Sequence, residues 1–311
     1  MIPVYLLMLA GLLLLFFSGK YLVESSVAIA RRLRIPAMVI GLTVVALGTS
    51  APELLVSIQA ASKGFPEIAI GNIVGSNISN ILLVLAITAV IFPISVPPSS
   101  VRKDWPIMMF VALLLFVFTL NGNLGRAEGI LLLLFLAGYI IMTVIQSRKP
   151  GPVYRDDETG RGPKWWTAGV IFAASCAGLA FGADLLVNNA AIIAENLGLS
   201  QRVISVTMVA VGTSLPELVT CVIAALKKET DIAIGNIIGS NTMNIIAVLG
   251  MTSVIKPIGV ERAIATFDIP WMIGTSLLLF LIMLPAVRSR INRWEGALMI
   301  LIYLLYIYLL F

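Results

Sequence analysis

The chain has 311 residues, 59% hydrophobic and 12% charged, with a net charge of +5, no histidine and two cysteines. A soluble domain carries about 25% charged residues, so this composition, with a mean hydropathy of +1.02, excludes a soluble globular protein and predicts an all-α protein that crosses a membrane many times. The basic residues sit in short loops between apolar runs, which argues against nucleic-acid binding, and the lack of histidine removes His catalysis, His metal sites and the usual neutral-pH switch.

A spanning helix takes about 20 apolar residues. Ten such stretches follow one another: 3–28, 36–62, 67–92, 105–121, 127–146, 166–194, 201–227, 231–255, 268–287 and 294–311. The first has no basic stretch before it and no clear cleavage site, so it is expected as a transmembrane helix and not as a signal peptide. Inside it Lys20 and Glu24 stand four residues apart, the spacing of a local helical ion pair. Asp184, in the sixth span, is expected near the interface in a structural role. Cys176 and Cys221 fall within spans, where small apolar filler is the expectation and a disulfide framework is not. The longest polar connection, near 147–164 (SRKPGPVYRDDETGRGPK), has the Pro, Gly and charge content of a linker. The expected organisation is 1–146 as a first unit, 147–164 as a cytoplasmic linker and 165–311 as a second unit.

Lys and Arg near span ends collect on the cytoplasmic side. With the N-terminus outside, fifteen fall in inner loops, among them Arg31, Arg102, Arg155, Lys227 and Arg290, and five in outer loops, namely Lys63, Arg126, Arg202, Lys256 and Arg262. Both termini are therefore expected outside the cell membrane. Five spans per unit is an odd number, so the second unit must enter the membrane upside down. Inverted repeats of this kind hold a binding site near the midplane, on interrupted helices.

The two units share a duplicated stretch. Residues 41–85 contain GLTVVALGTSAPELLVS and GNIVGSNISNILLVL; residues 205–249 contain SVTMVAVGTSLPELVTC and GNIIGSNTMNIIAVL. Glu53 aligns with Glu217, Gly71 with Gly235 and Asn80 with Asn244, each pair 164 positions apart. The match runs upstream too, with Phe17 on Phe181 and Ala30 on Ala194.

Proline lacks an N–H and its ring clashes with the carbonyl four residues back. Pro52 thus frees the Gly48 carbonyl and loosens that of Thr49, and Pro216 does the same to Gly212 and Thr213. Each copy then offers loose carbonyls, hydroxyls (Thr49, Ser50; Thr213, Ser214) and a carboxylate one turn on. Such an all-oxygen set suits hard cations such as Ca²⁺, whereas transition metals favour Cys or His. A lone carboxylate in the membrane costs about 2.5–3.5 kcal/mol; one divalent cation, or two or more monovalent ones, between Glu53 and Glu217 would neutralise both. A site that accepts either population is an exchange site. Asn72, Ser76 and Asn80 form a polar stripe on one helix, repeated by Asn236, Ser240 and Asn244. Ser76, Asn80, Ser240 and Asn244 are expected as ligands or supports of ligands; Asn72, Asn77, Asn236 and Asn241 remain open. Gly71, Gly75, Gly235 and Gly239 have the spacing of close helix packing.

At these motifs the sequence resembles the cation/Ca²⁺ antiporter superfamily and, within it, the sodium/calcium exchangers, whose two alpha repeats carry paired GTSxPE and GNxxGSN. The resemblance spans all ten predicted helices. It implies Ca²⁺ held by the Glu53 and Glu217 carboxylates and the Thr49 and Thr213 carbonyls. It also implies Na⁺ sites at Ala46, Thr49, Glu53 and Ser76 and at Ala210, Thr213, Glu217 and Ser240, closed by Asn80 and Asn244. The first and sixth spans would slide across the rest. Asn244 stands where potassium-dependent exchangers carry aspartate, and the GNxxE pattern of proton/calcium relatives is missing. The expectation is a Ca²⁺/Na⁺ secondary antiporter without a cofactor, acting as a monomer in the lipid bilayer. The alternatives are a H⁺/Ca²⁺ antiporter and a cation channel. An intramembrane enzyme has little support, since Ser50 and Ser214 lack a His partner.

Overall fold

In lipid the backbone must satisfy its own hydrogen bonds, and apolar spans do so as helices. The computed structural model describes residues 2–33, 35–147, 165–196, 210–284 and 290–310. Most of the 147–164 connection, the start of the seventh predicted span and residues 205–209 of the second motif lie outside the described residues. We label the helices α1 (Ile2–Leu33), α2 (Ala37–Thr49), α3 (Ala51–Lys63), α4 (Pro66–Ser79), α5 (Trp105–Thr119), α6 (Arg126–Ser147), α7 (Trp165–Asn196), α8 (Ala210–Thr213), α9 (Leu215–Leu226), α10 (Thr230–Met243), α11 (Ile269–Met283) and α12 (Arg293–Leu310). Helix α4 runs on through a π-helical stretch, Asn80–Leu85, and Ala86–Ile91; α10 does the same through Asn244–Leu249 and Gly250–Ile255. Further π stretches, Ser100–Asp104 and Ile264–Asp268, lead into α5 and α11.

Among the described residues seven helices are long and apolar enough to cross a membrane, and eight if α2 and α3, bent by 42°, form one span. In the fourth predicted span α5 has 15 residues; the seventh is described only from Ala210, and its α9 has 12.

Burial divides the helices into a centre and a shell. Over their most apolar 18 residues, the α10 span (Thr230–Ile255) is 100% buried and the α4 span (Ile68–Ile91) 78%, whereas α6, α7 and α12 are buried over only 22%. The shell turns Phe16, Leu134, Phe181 and Leu301 outward, as a lipid-facing surface requires. The centre is tight because α10 meets α2 through glycine. A Cβ on Gly239 would stand 2.6 Å from the Leu42 carbonyl oxygen, and one on Gly235 2.9 Å from that of Met38. The packing role expected of these two glycines holds; the residues that correspond to Met38 and Leu42 in the second copy lie outside the described set.

Helices α1 and α7 form a pair of their own. Gly11 and Gly182 bring their backbones together, a Cβ on Gly11 falling 2.9 Å from the Gly182 carbonyl oxygen. Leu15, Leu22, Leu179 and Ala183 bury a small apolar cluster with Ile40 and Val45, separate from the main core. Trp105 joins α5 to α11 by stacking on Phe280 with ring centroids 4.1 Å apart and by donating Nε1–H to the Ser276 carbonyl at 2.8 Å.

Four two-residue strands clip loop ends together. β1 (Ile94–Ser95) pairs antiparallel with β4 (Arg290–Ile291), Ile94 opposite Ile291, and β2 (Asn123–Leu124) pairs with β3 (Ile258–Gly259), Asn123 opposite Gly259. Each clip joins a residue of the first half of the chain to one of the second.

One expected contact is wrong. Lys20 does not pair with Glu24: Glu24 Oε1 accepts from Lys227 Nζ at 2.6 Å, while the Lys20 ammonium lies 5.6 Å from the centroid of the Tyr21 ring. The acid prefers a lysine from the end of α9 because α1 packs along α9, with Gly19 against Val219 and Ile223. Asp184 is exposed and accepts from Asn188 Nδ2 at 2.9 Å.

Candidate ion-binding site

The proline of each GTSxPE motif sits in the first turn of a new helix, so the preceding turn breaks. Ser50 (φ −82°, ψ 8°) separates α2 from α3, and Ser214 (φ −87°, ψ 2°) separates α8 from α9. Glu53 and Glu217 follow in the first turns of α3 and α9. There the positive end of the helix dipole favours negative charge. Both carboxylates are 0% exposed.

Residues from the two copies meet around them. Thr49 Oγ1 lies 3.2 Å from Asn236 Oδ1 and 3.4 Å from Ser240 Oγ. Glu217 Oε1 accepts from Ser50 Oγ and from Ser240 Oγ, each at 3.4 Å. Ser76 Oγ is 3.5 Å from Thr213 Oγ1. Glu53 feels the charge of Glu217, and neither of its carboxylate oxygens has a hydrogen-bond partner among the described residues. The Ala46 carbonyl already accepts from the Ser50 N–H at 3.0 Å and faces the Thr49 hydroxyl at 3.3 Å. Ala210, 164 positions after Ala46 of α2, lies in α8.

The asparagines left open in the sequence use their NH₂ groups in two ways. Asn72 and Asn236 donate within their own copy, although Asn236 Oδ1 also faces Thr49 of the other. Asn72 Nδ2 donates to Ser57 Oγ at 3.3 Å, and Ser57 Oγ reaches the Ala69 carbonyl at 3.5 Å. At the same offset Asn236 Nδ2 meets Cys221 Sγ at 3.4 Å, and Cys221 Sγ meets the Ala233 carbonyl at 3.6 Å. Cys221 is therefore the counterpart of Ser57, a polar brace and not the apolar filler expected. Both cysteines are free, as expected. Asn77 and Asn241 bind across the copies: Asn77 Nδ2 donates to the Asn241 carbonyl at 3.1 Å and Asn241 Nδ2 to that of Asn77 at 3.2 Å.

These bonds leave a set of oxygens unpaired. Among the described residues eight buried side-chain oxygens have no hydrogen-bond partner, and six belong to this region: both of Glu53, Oε2 of Glu217, Oδ1 of Asn80, Oδ1 of Asn244 and Oγ of Ser214. A buried polar atom without a partner costs about 1–3 kcal/mol, so native interiors leave few. Five of the six are pure acceptors. Further protein acceptors cannot satisfy them; a cation can. Among the described residues no three His, Cys, Asp or Glu side chains gather for a metal. The donor set is thus two carboxylates supplemented by neutral oxygens, which is hard-cation chemistry.

Sequence pattern singled out the break, the two glutamates and the Ser/Asn stripe. It missed the Ser57/Cys221 brace and the crossed asparagines. The constant offset of 164 positions would have found the brace, since Asn72 and Asn236 face counterparts of similar size.

A family model described as "Sodium/calcium exchanger protein" matches residues 3–145 and 167–311. The CaxA protein of Alkalimonas amylolytica is 40% identical over 320 residues, covering 100% of this chain and 99% of that one. The sodium/calcium exchanger MaX1 of Methanosarcina acetivorans is 34% identical over 345 residues, covering 99% and 98%. Among solved structures, the sodium-calcium exchanger NCX_Mj soaked with Na⁺ and Sr²⁺ superposes with a TM-score of 0.85 at 33% identity, covering 98% of each chain.

Proposed function

Because the chain belongs to the sodium/calcium exchanger family, and so to the cation/Ca²⁺ antiporters of membranes, we propose that it exchanges Ca²⁺ for Na⁺ by alternating access at the Glu53–Glu217 site. The observation that carries this reading is the group of unpartnered buried oxygens contributed by both copies of the motif. Glu53, Glu217 and the carbonyls of Thr49 and Thr213 hold Ca²⁺. Ser76, Ser240, Ala46 and Ala210 complete the Na⁺ positions, with Asn80 and Asn244 closing the centre. The ions are substrates, and the cycle needs no cofactor and no enzymatic step.

Charge makes the site an exchanger. Two buried carboxylates flanked by neutral amides carry a charge that one Ca²⁺ balances. Na⁺ ions drawn to the same oxygens cannot share them with Ca²⁺, so occupancy alternates. Without either cation the two charges repel, which disfavours movement of an empty site through the membrane. Three or more Na⁺ returning against one Ca²⁺ would carry net charge through each cycle.

The reading takes the chain as ten spans in two inverted five-helix units, 1–146 and 165–311, joined by a cytoplasmic linker at 147–164, with both termini outside and one complete site per monomer. The common offset of the breaks at Ser50 and Ser214, and of the π stretches that begin at Asn80 and Asn244, supports the repeat. The pair of α1 and α7, joined to each other at Gly11 and Gly182 and to α2 by a small apolar cluster separate from the main core, is the unit suited to slide over the rest.

The test is Ca²⁺ uptake into everted vesicles under imposed Na⁺, K⁺ or H⁺ gradients. An outward Na⁺ gradient should drive uptake, and a valinomycin-set potential should change its rate, since each net charge couples at about 2.3 kcal/mol per 100 mV. Uptake driven by H⁺ and indifferent to Na⁺ would refute Na⁺ coupling and favour a proton antiporter. Passive flux without a counter-ion would favour a channel.

A further inference from the structure

An asparagine side chain has two ends of similar size and opposite use. Its oxygen accepts and can face a cation; its NH₂ donates and repels one. Asn80 and Asn244 are 0% exposed, and each leaves its oxygen without a partner while its NH₂ is taken up. The partners lie on the opposite copy. Asn244 Nδ2 donates to Asn77 Oδ1 at 3.0 Å, and Asn80 Nδ2 donates to Asn241 Oδ1 at 3.1 Å.

Asn77 and Asn241 are themselves fixed. Both are 2% exposed, and their NH₂ groups are committed to each other's main-chain carbonyls. Asn77 Nδ2 also reaches Met272 Sδ at 3.6 Å. With their own amides held, only oxygen is left to meet the neighbours. An oxygen at that place accepts the NH₂ of Asn80 or Asn244 and rejects a flipped amide, because two carbonyl oxygens would then face each other. The flip is disfavoured on both sides by the same hydrogen bonds that cross α4 and α10.

We propose that Asn77 and Asn241 are positioning residues that aim the Asn244 and Asn80 oxygens at the bound cation, each residue acting on the asparagine of the other copy. The inference rests on the exchange site proposed above and adds residues that set its geometry without touching the ion. It explains how neutral amides serve a site for hard cations: the oxygen end is selected by a partner, with no further negative charge. The coupling is crossed, Asn77 with Asn244 and Asn241 with Asn80; these bonds run between helices and not within the pairs Asn77/Asn80 and Asn241/Asn244.

The test is a set of double-mutant cycles read by Ca²⁺ titration calorimetry on the purified full-length chain in Na⁺-free buffer. Asn77→Ala and Asn244→Ala are each expected to weaken Ca²⁺ binding about tenfold, and the double variant about tenfold instead of about a hundredfold; that shortfall, about 1.4 kcal/mol, lies in the range of residues joined in one network. The Asn241→Ala/Asn80→Ala cycle should behave alike, and it carries the test if Asn77→Ala does not purify as folded protein. The same-helix pairs Asn77/Asn80 and Asn241/Asn244 should add. A merely structural role would weaken binding in all pairs without this crossed pattern. Additive losses across the helices, or stronger coupling within a helix, overturn the proposal and leave the exchange site standing. A wild-type chain that binds no Ca²⁺ overturns both.

Discussion

Replacing Glu53 by Gln keeps the volume of the side chain and removes one of the two charges that balance Ca²⁺. Because the residue is 0% exposed, water cannot make up the loss. Removing one partner from a buried charge interaction costs about 3–5 kcal/mol, which is about 200- to 5,000-fold in Kd. Uptake at subsaturating Ca²⁺ should fall by the same factor, to background in a vesicle assay. The ion-free protein should behave in the opposite way. There Glu53 faces Glu217 with both oxygens unpaired, and Glu53→Gln relieves that repulsion, so its melting temperature should hold or rise. Ca²⁺ at a hundred times its Kd stabilises a binder by about 2.7 kcal/mol; the variant should lose that gain, which separates lost binding from lost folding. Glu217→Gln should be at least as damaging. Oε1 of Glu217 already serves Ser50 and Ser240, so an amide that keeps those bonds must turn its NH₂ toward the ion, whereas an amide at 53 can still offer its oxygen. A Glu53→Gln variant that exchanges Ca²⁺ at the wild-type rate, or binds it within about threefold of wild type, refutes the paired-carboxylate site.

Two further outcomes are expected. Arg155→Cys, in a background where Cys176 is Ala and Cys221 is Ser to preserve its brace, should resist an impermeant thiol reagent on intact cells and react in everted vesicles; ready labelling of intact cells would reverse the orientation. Glu24→Gln should cost no more than about 1 kcal/mol, because exposed ion pairs are weak, and the difference from wild type should fade in high salt. The Glu24 and Lys227 side chains are 46% and 31% exposed, so an effect that persists in molar salt would show that the pair does more than bridge α1 to α9.

Much of the site was legible because membrane chains place few polar residues without cause. Pro52 and Pro216 announce the two breaks, and the glutamates one turn later need a counter-charge wherever they fall in a bilayer. What escaped depends on distance along the chain. The pairing of Glu24 looked local because Lys20 stands one turn away, yet α1 lies along α9 and offers the acid a lysine from the other half. Cys221 looked apolar on its own and becomes polar only when set against Ser57. Asn77 and Asn241 stayed open, as did Asn72 and Asn236, because their partners are fixed by the crossing of two helices. The π stretches at Asn80–Leu85 and Asn244–Leu249 have no sequence signature that separates them from ordinary helix.

The strand clips bear on how the polypeptide could be made. Ile94 is joined to Ile291 and Asn123 to Gly259, so early and late parts of the chain are bonded at points remote from the segment that connects them. Helix α10 is buried from Ile232 to Met243, in part against α2. Either half translated alone would leave strand edges bare and a wide contact face open to lipid. Mutual attachment therefore does not depend on an unbroken peptide between Ser147 and Trp165. Two open reading frames, one ending near Ser147 and one starting near Trp165, should yield polypeptides that copurify through a tag on either; failure to copurify would show that the covalent tether, not the interlocked surfaces, keeps the halves in register.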